Sequence, residues 1–268
     1  MTRDKISTHH SALIWQMQMG IDETVTDRPF NRFSPPLPTI EQNREGAGDG
    51  GQASAKVEAA HLRSPSSSQA TELQALQVAE AATTLNDLRR AIAGFEGCSL
   101  KRTAKNTVFA DGNPDAAVML IGEAPGAEED RLGKPFVGPS GHLLDKMMSA
   151  IGLYRESDYY ISNILPWRPP GNRKPTPIEA AICLPFIRRH IEIKKPKILV
   201  LLGATPVSAL LGRTEGITRL RGRWQTLQIG QLDLEVMPTY HPAYLLRQPR
   251  LKVDAWRDYL EIKLRLNA

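Results

Sequence analysis

"AAVMLIGEAPG", residues 116–126, decides how this chain reads. Its first seven residues carry no polar side chain, where a strand with one wet face would alternate; such a run suits a strand covered on both faces. It then breaks into the turn Gly122-Glu123-Ala124-Pro125-Gly126. The theme recurs in "YYISN" (159–163), "KILVLLG" (197–203) and "LEVMPTY" (234–240). Helical patterns separate these runs: "GHLLDKMMSAIG" (141–152), "TPIEAAICLPFIRRHIEIK" (176–194) and "TPVSALLG" (205–212), with "VDAWRDYLEIKLRL" (253–266) closing the chain. Repeated strand–helix units with apolar strands predict an α/β fold, a three-layer αβα arrangement around a central four-stranded parallel sheet.

Outward from that core the chain changes character. Leu13, Ile14, Met17 and Ile21 lie on one face of a predicted helix over 9–21, so residues 1–33 form an N-terminal helical segment. Residues 34–71 turn to Pro, Gly, Ser, Ala and Gln and read as a disordered linker, too poor in apolar surface to offset chain entropy. Leu73, Leu76, Leu85, Leu88 and Ile92 recur at helical spacing before Gly94, predicting one leading helix over 72–94 of a domain that runs from 72 to 268.

Composition bounds the partners. The chain has 268 residues and a net charge of +5, unevenly spread: residues 1–97 hold 9 Lys/Arg against 12 Asp/Glu, residues 98–268 hold 25 against 17. The basic second part suits a polyanion, although solvated surface lysines account for the same excess. Two cysteines, Cys98 and Cys183, make no disulfide scaffold and suit a reducing, cytoplasmic setting. No apolar run reaches membrane-spanning length, so no membrane partner is expected.

Ligands of open parallel sheets bind beyond the carboxyl ends of the strands. Here those ends carry Glu123, Asn163, Gly203 and, after the fourth strand, His241. The turn after the first strand lacks both G-x-G-x-x-G and G-x-x-x-x-G-K-[ST], and the nearby Glu123, Glu128, Glu129 and Asp130 would repel phosphate. Carboxylates at such a place suit a held water or a transient positive charge. The bland alternative is that Glu128, Glu129 and Asp130 complement a helix dipole.

"GEAPGAEEDRLGKPFVGPSG" (122–141), "YISNILPWRPPGNRKP" (160–175) and "TYHPAYLL" (239–246), in this order, resemble the uracil-DNA glycosylase superfamily, family 4 type. The likeness covers roughly residues 95–264. It implies a DNA-repair enzyme that flips deoxyuridine out of DNA and hydrolyses the N-glycosidic bond, leaving an abasic site. It implies Glu123 and Glu129 as the acids that serve water and sugar, with Asp130 a possible substitute, and His241 as donor to the uracil O2. It also implies Phe136 as the stacking aromatic, Asn163 as reader of the base edge, Ala124 and Gly126 as pocket lining, and Asn172 near the site. Arg173, Lys174, Arg247 and Arg250 are candidate phosphate contacts, and Tyr244 and Leu245 candidate wedges in the base stack.

The family carries a [4Fe-4S] cluster on four cysteines. This chain keeps Cys98 and Cys183 and has Lys101 and Trp167 at the other two positions, so no cofactor and no metal are expected. Residues 164–177 contain no histidine, which implies turnover rather than a covalent adduct. The partner is then uracil-containing DNA, single- or double-stranded, and the enzyme a monomer. Two alternatives stay open: a glycosylase for hypoxanthine or xanthine, and a non-catalytic DNA-binding module.

Overall fold

The computed structural model describes residues 67–267. The helix expected at 9–21 and the expected linker up to residue 66 lie outside the described residues.

The sheet has six strands: β1 (Asp111–Gly112), β2 (Val118–Gly122), β3 (Tyr159–Asn163), β4 (Ile198–Leu202), β5 (Gln225–Ile229) and β6 (Leu232–Thr239), in the order β1-β3-β2-β4-β6-β5. The four expected strands are its parallel centre, with Val118 opposite both Tyr159 and Ile198, and Ile198 opposite Glu235. Two further edge strands run antiparallel, β1 on β3 and β5 on β6.

Alternation along the central strands divides the core in two, because successive side chains point to opposite faces. Met119, Ile121, Leu199 and Leu201 pack with Ile182, Phe186, Ile187 and Val207 on one face. Val118, Leu120, Ile198 and Val200 pack with Leu144, Met148, Tyr259 and Ile262 on the other. The first face is covered by α1 (Ser67–Glu80), α2 (Leu85–Gly94), α5 (Pro177–Lys194) and α6 (Ala204–Leu211); the second by α4 (Pro139–Ala150) and α9 (Lys252–Leu266). Three short helices, α3 (Ala127–Leu132), α7 (Ile217–Leu220) and α8 (Pro242–Arg247), complete the described chain.

The expected single helix over 72–94 is two. Thr84 starts the second as its N-cap: its hydroxyl accepts the Asp87 N–H at 3.1 Å, and the Asp87 carboxylate accepts the Thr84 N–H at 3.2 Å. This reciprocal capping box ends one helix and begins another without Gly or Pro. The first begins at Ser67, inside the stretch expected to be linker.

Candidate functional site

The carboxyl ends of the central strands open into a cavity of about 650 Å³, within the ~300–1,000 Å³ typical of small-ligand sites. Its lining gathers Glu123, Ala124 and Gly126 after β2, Asn163 at the end of β3, Gly203 after β4 and His241 after β6. Phe136, Glu129, Asn172, Arg173, Lys174, Tyr244 and Arg247 lie on the same wall or rim.

At the floor, Asn163 is buried and its Oδ1 has no hydrogen-bond partner. An unmatched buried acceptor costs the desolvation of that atom, about 1–3 kcal/mol; the cost is recovered when a ligand brings a donor. Gly122 makes the room. A Cβ there would collide with both Asn163 Oδ1 and the Phe136 ring. Phe136 is 5% exposed, and its ring centroid lies 5.6 Å from that of His241, the planes inclined by 33°.

His241 is the N-cap of α8. Its Nδ1 accepts the Ala243 N–H at 3.1 Å, which leaves the proton of the neutral ring on Nε2. Enclosure of the ring, then the nearby Arg247 charge, push its pKa down to about 4, with Glu129 opposing. At neutral pH it is an uncharged N–H donor.

The neighbouring acids separate by role. The Glu123 carboxylate accepts the Thr205 hydroxyl from the first turn of α6. Glu129 is engaged by backbone: Oε1 accepts the N–H groups of Val137 (3.0 Å) and Gly138 (2.9 Å), and Oε2 that of Gly126 (3.1 Å). It braces the turn that shapes the pocket. Glu128, on the rim, pairs with Arg131 through contacts of 3.1 and 2.7 Å. Asp130 is buried outside the cavity lining, accepting the N–H groups of Lys105 at 2.8 Å and Asn106 at 3.2 Å. The expectation that it could substitute at the reacting centre is therefore corrected: its carboxylate ties the loop before β1 to α3.

The other expectations divide similarly. Leu245 is 0% exposed in the core, so it is no wedge, because α8 turns it inward onto the sheet. Tyr244 remains 37% exposed on the rim, its ring 5.5 Å from Tyr240. Asn172 lines the cavity with Oδ1 accepting Arg168 Nε at 2.7 Å. Arg173 is bound bidentately by Glu179 at 2.8 and 2.6 Å. Arg250 is exposed in a 3₁₀ turn, Pro249–Leu251, outside the cavity lining. Thr205 went unrecognised, since a threonine opening a helix reads as an ordinary cap.

The residues at the family's cluster positions do not fit such a group. Trp167 is 1% exposed within the core, its indole N–H donating to Thr107 Oγ1 at 3.1 Å, and Lys101 pairs with Glu96. Cys98 and Cys183 are buried free thiols, and the interaction with Cys183 draws the Cys98 pKa down to about 7. Two thiols, an indole and a salt-bridged ammonium lack the thiolates a [4Fe-4S] centre uses. Among the described residues, no three His, Cys, Asp or Glu side chains gather as a metal site, and no helix is long and apolar enough to cross a membrane.

The sequence profile described as "Uracil DNA glycosylase superfamily" matches residues 109–263. The type-4 uracil-DNA glycosylase of Thermotoga maritima is 44% identical over 151 residues, 56% of this chain and 77% of that protein. The type-4 uracil-DNA glycosylase of Archaeoglobus fulgidus is 37% identical over 183 residues, 67% of this chain and 92% of that protein.

Proposed function

Since this chain belongs to the uracil-DNA glycosylase superfamily, with type-4 enzymes among its relatives, we propose that it excises uracil from DNA and that the cavity beyond β2, β3 and β6 receives the flipped base. The observation that carries this reading is the buried, partnerless Oδ1 of Asn163. Uracil presents N3–H to such an acceptor and O4 to the amide NH₂, whereas cytosine presents an acceptor at N3 and a donor at C4. Phe136 offers a face on which the base stacks, worth about 1–3 kcal/mol.

In the reaction the C1′–N1 bond breaks with its electron pair staying on the base. Negative charge gathers on O2, where the neutral His241 Nε2–H donates, and positive charge gathers on the sugar, facing Glu123. Water adds to C1′ and gives up a proton to the Glu123 carboxylate; Glu123 then returns that proton by way of solvent to the uracil anion, leaving an abasic site, neutral uracil and the carboxylate restored. Glu129 acts through the loop it braces, so Glu123 is the acid assigned to water and sugar. The enzyme works without a cluster, as a monomer, in the cytoplasm, where buried Cys98 and Cys183 stay reduced.

Oligonucleotides carrying one uracil, hypoxanthine or xanthine, cleaved with alkali after incubation, test the reading. Uracil strands are expected to break, and Asn163→Asp to lose that activity while gaining weak action on cytosine. Cleavage of the purine lesions alone, or undiminished uracil excision by Asn163→Asp, would overturn it. Stoichiometric iron and brown absorbance in purified protein would overturn the cluster-free reading.

A further inference from the structure

Phe136 holds a backbone conformation that aromatic residues rarely adopt. Its φ is 54°, in the left-handed region, where a bulky side chain is strained and persists because its surroundings over-determine it. We propose that Arg155 is a positioning residue for base stacking: its guanidinium holds the Pro135–Phe136 backbone in the geometry that sets the Phe136 ring in the cavity wall. The inference rests on the reading of Phe136 as the platform for the base.

All five guanidinium N–H groups are committed. Nη2 donates to the Phe136 carbonyl at 2.8 Å and Nη1 to the Pro135 carbonyl at 3.1 Å. Asp145 Oδ1 accepts from Nε at 3.0 Å and Nη2 at 2.7 Å, while Asp111 Oδ2 accepts from Nη1 at 3.2 Å. Asp145 is itself fixed by the Tyr159 hydroxyl at 2.6 Å. The Arg155 side chain is 11% exposed and lies outside the cavity lining, so it acts through Phe136 and touches no base.

α4, which carries Asp145, also closes on this peptide through its first turn. A Cβ at Gly141 would overlap the Phe136 carbonyl, so the third residue of that helix must be glycine for its backbone to press against the strained peptide. Lysine could not replace Arg155: an ammonium has three donors and no planar fork, too few to hold two carbonyls and two carboxylates at once. The clamp also gives the two-residue strand β1 a purpose, since pairing with β3 brings Asp111 to the guanidinium.

A double-mutant cycle on the full chain tests this, with single-turnover excision from a uracil oligonucleotide and thermal melting as readouts. Arg155→Met and Phe136→Ala are each expected to slow excision by about 10- to 100-fold, the range for loss of one stacking platform. The double variant is expected to be no slower than Phe136→Ala alone, because Arg155 has no other route to the base. Arg155→Lys, which keeps the charge between Asp111 and Asp145, guards against a Met variant that fails to fold and is expected to be slow although folded. Wild-type rates in either Arg155 variant would overturn the proposal, as would an equal further loss in the Phe136→Ala background. Undiminished excision by Phe136→Ala would instead remove the platform itself, and the clamp's role with it.

Discussion

His241 sits where a helix start decides which ring nitrogen carries the proton. Because Nδ1 caps α8 by accepting from Ala243, Nε2 is the ring's remaining donor, the one the proposed reaction uses. Burial and Arg247 hold the pKa near 4 against an ordinary value of 6.5. The unfolded chain therefore binds more protons between these values, and this group's contribution to stability falls as pH drops from about 6.5 to about 4. The imidazole resonances of His241 are expected to stay those of the neutral ring down to about pH 5, and His241→Ala to lose about 10²–10³ in single-turnover excision while keeping its affinity for DNA. A titration midpoint near 6.5, or an unchanged rate, would count against the donor role. Composition and spacing do not separate Glu128, Glu129 and Asp130, and the resemblance implies a reacting role for Glu129 with Asp130 as substitute, yet successive helix positions point about 100° apart. One pairs with Arg131, one binds three backbone N–H groups and one turns to the loop before β1. No spacing rule reveals this, because the partners are backbone atoms brought near by folding.

Elements were legible where burial leaves a strong pattern. β2, β3, β4 and β6 are covered on both faces, so their apolar runs stand out, and the strand-end rule then places Glu123, Asn163 and His241 at one edge. The edges were lost for opposite reasons. β1 has two residues and no pattern to read; β5, "QTLQI", alternates with only Leu227 and Ile229 buried, so it lacks the continuous apolar run that marks the central strands. The break between α1 and α2 was hidden because a Thr84–Asp87 capping box resembles helix interior unless Asp is counted with Glu at the third position. α8 has six residues and too little periodicity to register, and α3, also six residues long, entered only as a helix whose dipole Glu128, Glu129 and Asp130 would complement. Each is tied to the pocket through its start, Gly126 with the Glu129 carboxylate for α3 and the His241 ring for α8. Elements too short to register by periodicity thus orient side chains of the candidate site.

Across the molecule, the excess of positive charge in residues 98–268 becomes useful where it meets the cavity mouth. Three cations line that mouth, and they are not equivalent. Arg173 is neutralised by two contacts with Glu179, which bring the carboxyl pKa down to about 2. Lys174 and Arg247 have no ion-pair partner among the described residues and are the charges a phosphate would meet first. Each cation that displaces condensed counterions from duplex DNA steepens the log–log salt dependence of binding by about 0.9, and from single strands by about 0.7. Lys174→Ala and Arg247→Ala are therefore each expected to flatten the slope by roughly that amount, whereas Arg173→Ala changes it less, because Glu179 already matches that charge. Fluorescence-anisotropy titrations of an abasic-site oligonucleotide across a salt series read all three slopes. If Arg173→Ala produced the largest change, the ion pair would have to open on binding, freeing Glu179 at the rim and reversing the assignment of which side chains hold the strand.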